Sequence, residues 1–472
     1  MSAAPTCCQY RPKDAFLSPL WRIVSDHLDN FLRHYERRYQ STHGRLAPYV
    51  EKVLNQFLLC GDPNQGVTLF TCKECKISLA VPFSCKTRIC PSCMSRRAED
   101  LSEGLGEALP RVPYRHVVIT LPRLMGIRHR IRETPGLMRR VTRLAVGVLS
   151  RYLVRQVKDP SSRQARPGFV VAWQTFGDNL TYHPHLHILV TDGVFLPDGN
   201  FHGYLEWDPT QLTCLLRQSV LKSFGKLNLV SPEASETMLS WPIERSGFNV
   251  HVDTRVDDDD RDRLKTLLRY LTRPPVTMDR LHYTESSGQV RYRTRKGAEL
   301  HYLHAIDFLA DLTQHVPPPR RQTVSYHGHF ANALGTLERR SEPKTAKSTS
   351  LPCPRRAAWS RLVLRVWQVD PELCPRCGSR MQRSRALIVR LELNRLLKSL
   401  SIGCYPVRPP PAAVPETAPV TYGSVGKRSK PRPIPSENSA PPDVETESVP
   451  LEPEWEVSQV PPDGWDEWAA AS

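Results

Sequence analysis

No stretch of this 472-residue chain approaches 18 consecutive apolar residues, so no membrane-spanning helix is predicted. The opening MSAAPTCCQYRPKD lacks the apolar run of a secretory signal, so a cytoplasmic location with no membrane partner is expected. The end of the chain lacks base. From Glu437 to Ser472 there are ten acidic residues and no Lys or Arg, which leaves +27 on the preceding residues against a net +17 overall. A body that basic most often meets a polyanion, nucleic acid first among them. The length calls for two or three cores, and 40% hydrophobic residues can supply them.

Cysteine, by contrast, is plentiful. Thirteen are present, several in Cys-x-x-Cys pairs, and without a secretory signal they argue for zinc thiolates over disulfides. Cys72-Lys-Glu-Cys75 and Cys90-Pro-Ser-Cys93 are separated by 14 residues. Four thiolates from two such knuckles suit tetrahedral Zn²⁺, whose binding folds a segment with little core of its own. Cys60 and Cys85 remain as substitute ligands or buried thiols. Cys374-Pro-Arg-Cys377 is half a site, with Cys353 as one candidate partner. The basic residues around the first cluster, among them Lys86, Arg88 and Arg96, make a DNA-contacting module one reading. A purely structural zinc is the other.

The stretch Tyr182-His-Pro-His-Leu-His-Ile-Leu-Val-Thr-Asp-Gly193 is predicted to be a strand ending in a turn. His185 and His187 then share one face while Leu186 and Ile188 enter a core. Two imidazoles so placed form half a metal site, or else ordinary histidines of an edge strand. A second strand, Gly168–Phe176, should pair antiparallel with it and bring Gln174 opposite the histidines. Gln174 is therefore a candidate third ligand through its amide oxygen, or a structural hydrogen-bonding group. Asp257 to Asp260 offer the cap of a helix with Leu264, Leu267, Leu268 and Leu271 on its apolar stripe, ended by Arg273-Pro274-Pro275. Tyr270 falls on the shoulder of that stripe, where a tyrosine is ordinarily a packing residue.

Taken in order, Cys90-Pro-Ser-Cys93, His-Pro-His-Leu-His-Ile-Leu-Val-Thr-Asp-Gly, Gly247-Phe-Asn-Val-His251, Arg269-Tyr270-Leu-Thr-Arg273-Pro-Pro, Tyr326-His-Gly and Cys374-Pro-Arg-Cys-Gly resemble the rolling-circle transposases of the insertion sequence 91 family, members of the HUH endonuclease superfamily. The resemblance covers about residues 46–383. It implies an α+β fold: an HUH-type antiparallel sheet core with packed helices, preceded by a small Cys-rich zinc module; composition adds a disordered tail rich in Pro, Ser and Glu. The expected division is a helical segment plus zinc-binding domain over 14–105, a catalytic domain over 110–335, a polar, proline-spotted linker at 336–356, a small Cys-x-x-Cys segment at 357–390 and a Pro-rich acidic tail over 405–472.

The resemblance further implies that His185 and His187 hold Mg²⁺ or Mn²⁺. Tyr270 would then nick and rejoin single-stranded DNA at element ends through a 5′-phosphotyrosine, with target DNA and a second copy of the chain as further partners. Arg269 and Arg273 would assist the phenol or hold phosphates. Members with two catalytic tyrosines place them four residues apart; here the position four before Tyr270 is Thr266, which makes this a single-tyrosine variant. A zinc-dependent DNA-binding regulator without cleavage activity, and plasmid replication initiators or relaxases sharing the same core, are the alternatives.

Overall fold

The computed structural model describes residues 18–122, 134, 136–158, 164–295, 297–319, 321–331, 370, 372–387 and 392. The expected linker, the acidic tail and residues 357–369 of the expected Cys-x-x-Cys segment lie outside the described residues.

The histidine strand, β5 (Tyr182–Thr191), is central and not an edge. Its aliphatic run Leu186–Val190 suits a strand covered on both faces. With β3 (Tyr114–Thr120), β4 (Gly168–Phe176), β8 (Asn249–Val256) and β12 (Val324–Gly328) it forms a five-stranded sheet of order β12-β4-β5-β3-β8, every pair antiparallel. The two-residue period sorts the side chains. Val117, Ile119, Val171, Leu186, Ile188 and Val190 pack beneath α4 (Leu137–Val154), α5 (Pro209–Gly225) and α6 (Pro232–Ser240). The opposite face carries Val170, Ala172, Leu189 and the histidines. It is covered by α7 (Arg261–Leu271), the tyrosine helix, and α3 (Pro91–Ala108).

The tyrosine helix begins as its sequence suggests, the Asp260 side chain accepting from the backbone N–H of Arg263 at 2.9 Å. Helix α3 lies directly on it. Ser102 donates to the Lys265 carbonyl at 2.9 Å, and the Lys265 side chain lies over Gly106, where a Cβ would fall 2.8 Å from it. Arg269 and Glu99 join them as a half-buried ion pair at 2.8 Å.

Toward the N-terminus, α1 (Pro19–His43) and α2 (Val50–Leu58) share a core with the small sheet β9 (Leu281–Thr284), β10 (Gln289–Arg293), β11 (Glu299–Tyr302) and with α8 (Ala305–Thr313). Tyr39 donates to Asp307, and His43 meets Asp311 at 3.0 Å, so α1 and α8 are locked by polar pairs as well as by packing. A separate three-stranded sheet joins β1 (Val67–Cys72) and β2 (Ser78–Pro82) to β13 (Met381–Leu387). The hairpin β6 (Gly193–Phe195) and β7 (Phe201–Gly203) extends from the end of the histidine strand. The architecture is α+β with antiparallel sheets, as the sequence predicts. No helix among the described residues is long and apolar enough to cross a membrane.

Candidate active site and metal centres

Antiparallel pairing sets Gln174 across from His185 and Ala172 across from His187, the register expected of the two strands. Each histidine has a partner at Nδ1. His185 Nδ1 lies 2.6 Å from the His183 carbonyl, a contact that only an Nδ1–H can make favourable. His187 Nδ1 lies 3.0 Å from Nε2 of His116 on β3, the two rings stacked at 11°. Both Nε2 atoms are thereby left to face each other, 3.0 Å apart. Two nitrogen lone pairs at that distance repel unless they share a proton or a cation. For a cation with bonds of about 2.1 Å, adjacent ligand positions lie about 3.0 Å apart.

Burial holds His187 well below the ordinary imidazole range, with His185, His116 and Arg273 adding to the effect. It takes His116 down to about 3, helped by His251 and His185. Neutral imidazole is the form that ligates metals.

Tyr270 is buried against this pair. Its ring meets His187 edge to face at 5.3 Å and 89°, and His116 at 6.1 Å. The Arg273 guanidinium stands 4.7 Å above the phenol ring and that of Arg295 5.9 Å. Asp178, in the β4–β5 loop, accepts from the Arg295 backbone N–H at 2.8 Å and fixes that strand end beside the tyrosine. Gln174 donates through Nε2 to the carbonyls of Tyr270 and Leu271 (3.2 and 3.3 Å), while its Oε1 accepts from Arg273 Nε at 3.4 Å. Its amide nitrogen thus reaches two carbonyls at the helix C-terminus, that of Tyr270 also accepting from the Arg273 backbone N–H. These bonds tie Gln174 to the end of the helix that carries Tyr270.

Other predicted contacts have different surroundings. Arg269 is held by Glu99. Arg88 donates to Thr323 Oγ1 and, at 2.7 Å, to the Arg321 carbonyl, and burial first, with Arg97, takes it down to about 10. Each thus joins two segments of the chain. Lys86 is exposed and Arg96 half-buried on α3. Removing the carboxylate in Glu99→Ala is expected to lower stability by about 1–2 kcal/mol, since it leaves a half-buried guanidinium without its partner. A denaturant titration measures this, and a shift under a few tenths of a kcal/mol would count against the pairing.

The cysteines correct the sequence reading. Cys72 and Cys75 do not join Cys90 and Cys93. One group is Cys60, Cys85, Cys90 and Cys93, the other Cys72, Cys75, Cys374 and Cys377, the sulfurs of each lying within 4.8 Å of one another. In the first, sulfur pairs lie 3.6–3.7 Å apart, and tetrahedral Zn–S bonds of about 2.3 Å require about 3.8 Å. The physical reason is strand direction. Cys72 ends β1, the central strand of its sheet, while Cys90 caps α3 and Cys93 lies in its first turn beside Cys60. Four thiols this close cannot all be anionic without a cation among them.

A family model described as a transposase zinc-binding domain matches residues 27–121, and one described as a putative transposase matches 168–336. The transposase for insertion sequence element IS801 of Pseudomonas savastanoi pv. phaseolicola is 25% identical over 363 residues, 73% of this chain and 85% of that protein. The chain belongs to the insertion sequence 91 family of transposases. The putative transposase y4qJ of Sinorhizobium fredii (strain NBRC 101917 / NGR234) is 32% identical over 175 residues, 36% of this transposase and 42% of that one. No solved structure matches the chain. The Cys60 group lies inside the matched zinc-binding domain, and structural zinc is the ion its four thiolates suit.

The sequence alone did not single out His116 or Arg295. A lone histidine in an apolar strand carries no periodic signal; only the register of β3 on β5 brings it beside His187.

Proposed function

We propose that this transposase nicks and rejoins single-stranded DNA at element ends, with Tyr270 as nucleophile and a 5′-phosphotyrosine as intermediate. The observation that carries the reading is the Tyr270 ring set edge-on against His187, one of two imidazoles whose Nε2 atoms converge at 3.0 Å. His185 and His187 would hold Mg²⁺ or Mn²⁺. Once bound, such an ion supplies charge to the oxygens of a scissile phosphate.

Each remaining task belongs to the chain. The stacked His116 holds the His187 ring in orientation through its other nitrogen, and the His183 carbonyl does the same for His185. Gln174 holds the helix end that carries Tyr270. Arg273 and Arg295 place positive charge over the phenol, where it balances the phenolate. Attack forms the bond from the tyrosine oxygen to phosphorus and breaks the bond from phosphorus to the 3′-oxygen. One proton leaves the phenol and one is taken up by the 3′-oxygen, so none is consumed overall. Because the phosphoryl bond is conserved, a 3′-hydroxyl can reverse the step and join strands.

Tyr270 is only 6% exposed, which favours a flexible unpaired strand over a duplex as substrate. A cleft beside it, lined by Trp173, Phe176, Arg273 and Arg321 among others, offers aromatic faces and positive charge for such a strand. The Arg321 guanidinium stacks 5.0 Å over Trp173.

The test uses end-labelled single-stranded DNA from the element terminus, with and without Mg²⁺ or Mn²⁺, read on a denaturing gel. A protein–DNA adduct that requires the ion is expected. Tight DNA binding with no adduct in either metal would overturn the reading.

A further inference from the structure

Residues 372–387 lie beyond both matched family models, yet they complete the N-terminal three-stranded sheet. Strand β13 pairs with β1, Cys72 opposite Met381 and Thr71 opposite Gln382. At the end of that sheet the Cys374–Cys377 knuckle meets the Cys72–Cys75 knuckle, with Cys72 and Cys377 sulfurs 3.7 Å apart across 305 residues of sequence.

The two knuckles share a backbone design. In each, the residue after the second cysteine takes the left-handed conformation, Lys76 at φ 57° and Gly378 at φ 70°. Its N–H returns to the carbonyl of the first cysteine, at 3.1 Å in one and 2.9 Å in the other. The Cys75 backbone N–H also donates to Cys72 Sγ at 3.4 Å, the kind of bond a thiolate accepts. A lysine accepts left-handed strain here only because the turn demands it.

We propose that Cys72, Cys75, Cys374 and Cys377 hold a second Zn²⁺, making one ribbon-like zinc module from two halves of the chain that flank the whole catalytic unit. Four sulfur donors with no oxygen among them suit Zn²⁺ and exclude Mg²⁺ or Ca²⁺. The apolar support around them is small, with Phe70, Leu79, Val81 and Met381 buried beside Cys72 and Cys374. Such a cluster depends on its ion for folding. The ion clamps the C-terminal segment onto the N-terminal module, which is therefore complete only in a chain that reaches Cys377.

The zinc content of the purified full-length chain tests this directly. Two ions per chain are expected, and one in the Cys374→Ser/Cys377→Ser variant, where the Cys60 group is untouched. A second measurement guards against simple misfolding. A protease site is inserted within residues 338–356 of the full chain and cut after purification. The C-terminal piece should stay associated in zinc-containing buffer, leave on addition of a chelator, and leave without chelator in the double-serine variant. One zinc in the unaltered chain, two in the variant, or a variant piece that stays bound would each overturn the proposal.

Discussion

Tyr270→Phe is expected to abolish the covalent adduct while leaving DNA binding within about twofold. The change removes one oxygen and keeps the ring that packs edge-on against His187 and His116, so the helix and its contacts should persist. A nucleophile that is simply absent leaves no slower version of the same reaction, and the expected loss is to background, about 10⁴-fold or more. Two other tyrosines lie near in sequence. Tyr283 donates its hydroxyl to Asp26 at 3.0 Å and meets His27 at 2.9 Å, and burial with the Asp26 hydrogen bond pushes it above the ordinary phenol range. Burial does the same to Tyr292. Both are therefore poorly suited to attack. An adduct that survived in Tyr270→Phe and mapped to either would refute the assignment.

Histidine substitutions should separate metal ligands from their supports. His187→Ala removes one of two converging nitrogens, and nicking should fall to background at any practical Mg²⁺ or Mn²⁺ concentration. His116→Ala leaves both proposed ligands and removes only the partner that orients His187. A loss of about 10–100-fold is expected there, largely recovered by raising the metal concentration. Steady nicking assays across a metal titration distinguish the two cases. Equal, unrecoverable losses would mean that His116 acts directly on the ion or substrate; no loss at all would deny it a part in the site.

Some of this was legible before the fold was known, because local patterns are written in neighbouring residues. The aliphatic run around His185 and His187, the acidic cap before the tyrosine helix and the pairing of β4 with β5 follow from period, cap and turn. The partners of the cysteines were not legible in this way. Spacing joins Cys72 and Cys75 to Cys90 and Cys93, whereas the chain's path sends each knuckle to a different partner, one of them beyond residue 370. Spacing reports what can close locally; it carries no record of a strand returning from the other end. Arg269 illustrates the same limit. Beside the tyrosine in sequence, it points to Glu99 on α3, a helix that sequence distance had placed in another module.

The shared core of α1 and α8 has a consequence in time. Leu20, Ile23, Val24, Leu28 and Phe31 leave the ribosome early, yet α8 and the β9–β11 sheet that pack with them follow some 250 residues later. At about 5–20 residues per second this delay is about 12–50 seconds. Through that interval much of an apolar helix face waits for its cover, exposed to whatever else binds such surfaces. A newly made chain thus offers that face to aggregation or to capture by a chaperone until α8 arrives, some 30 residues after the end of the tyrosine helix has been made.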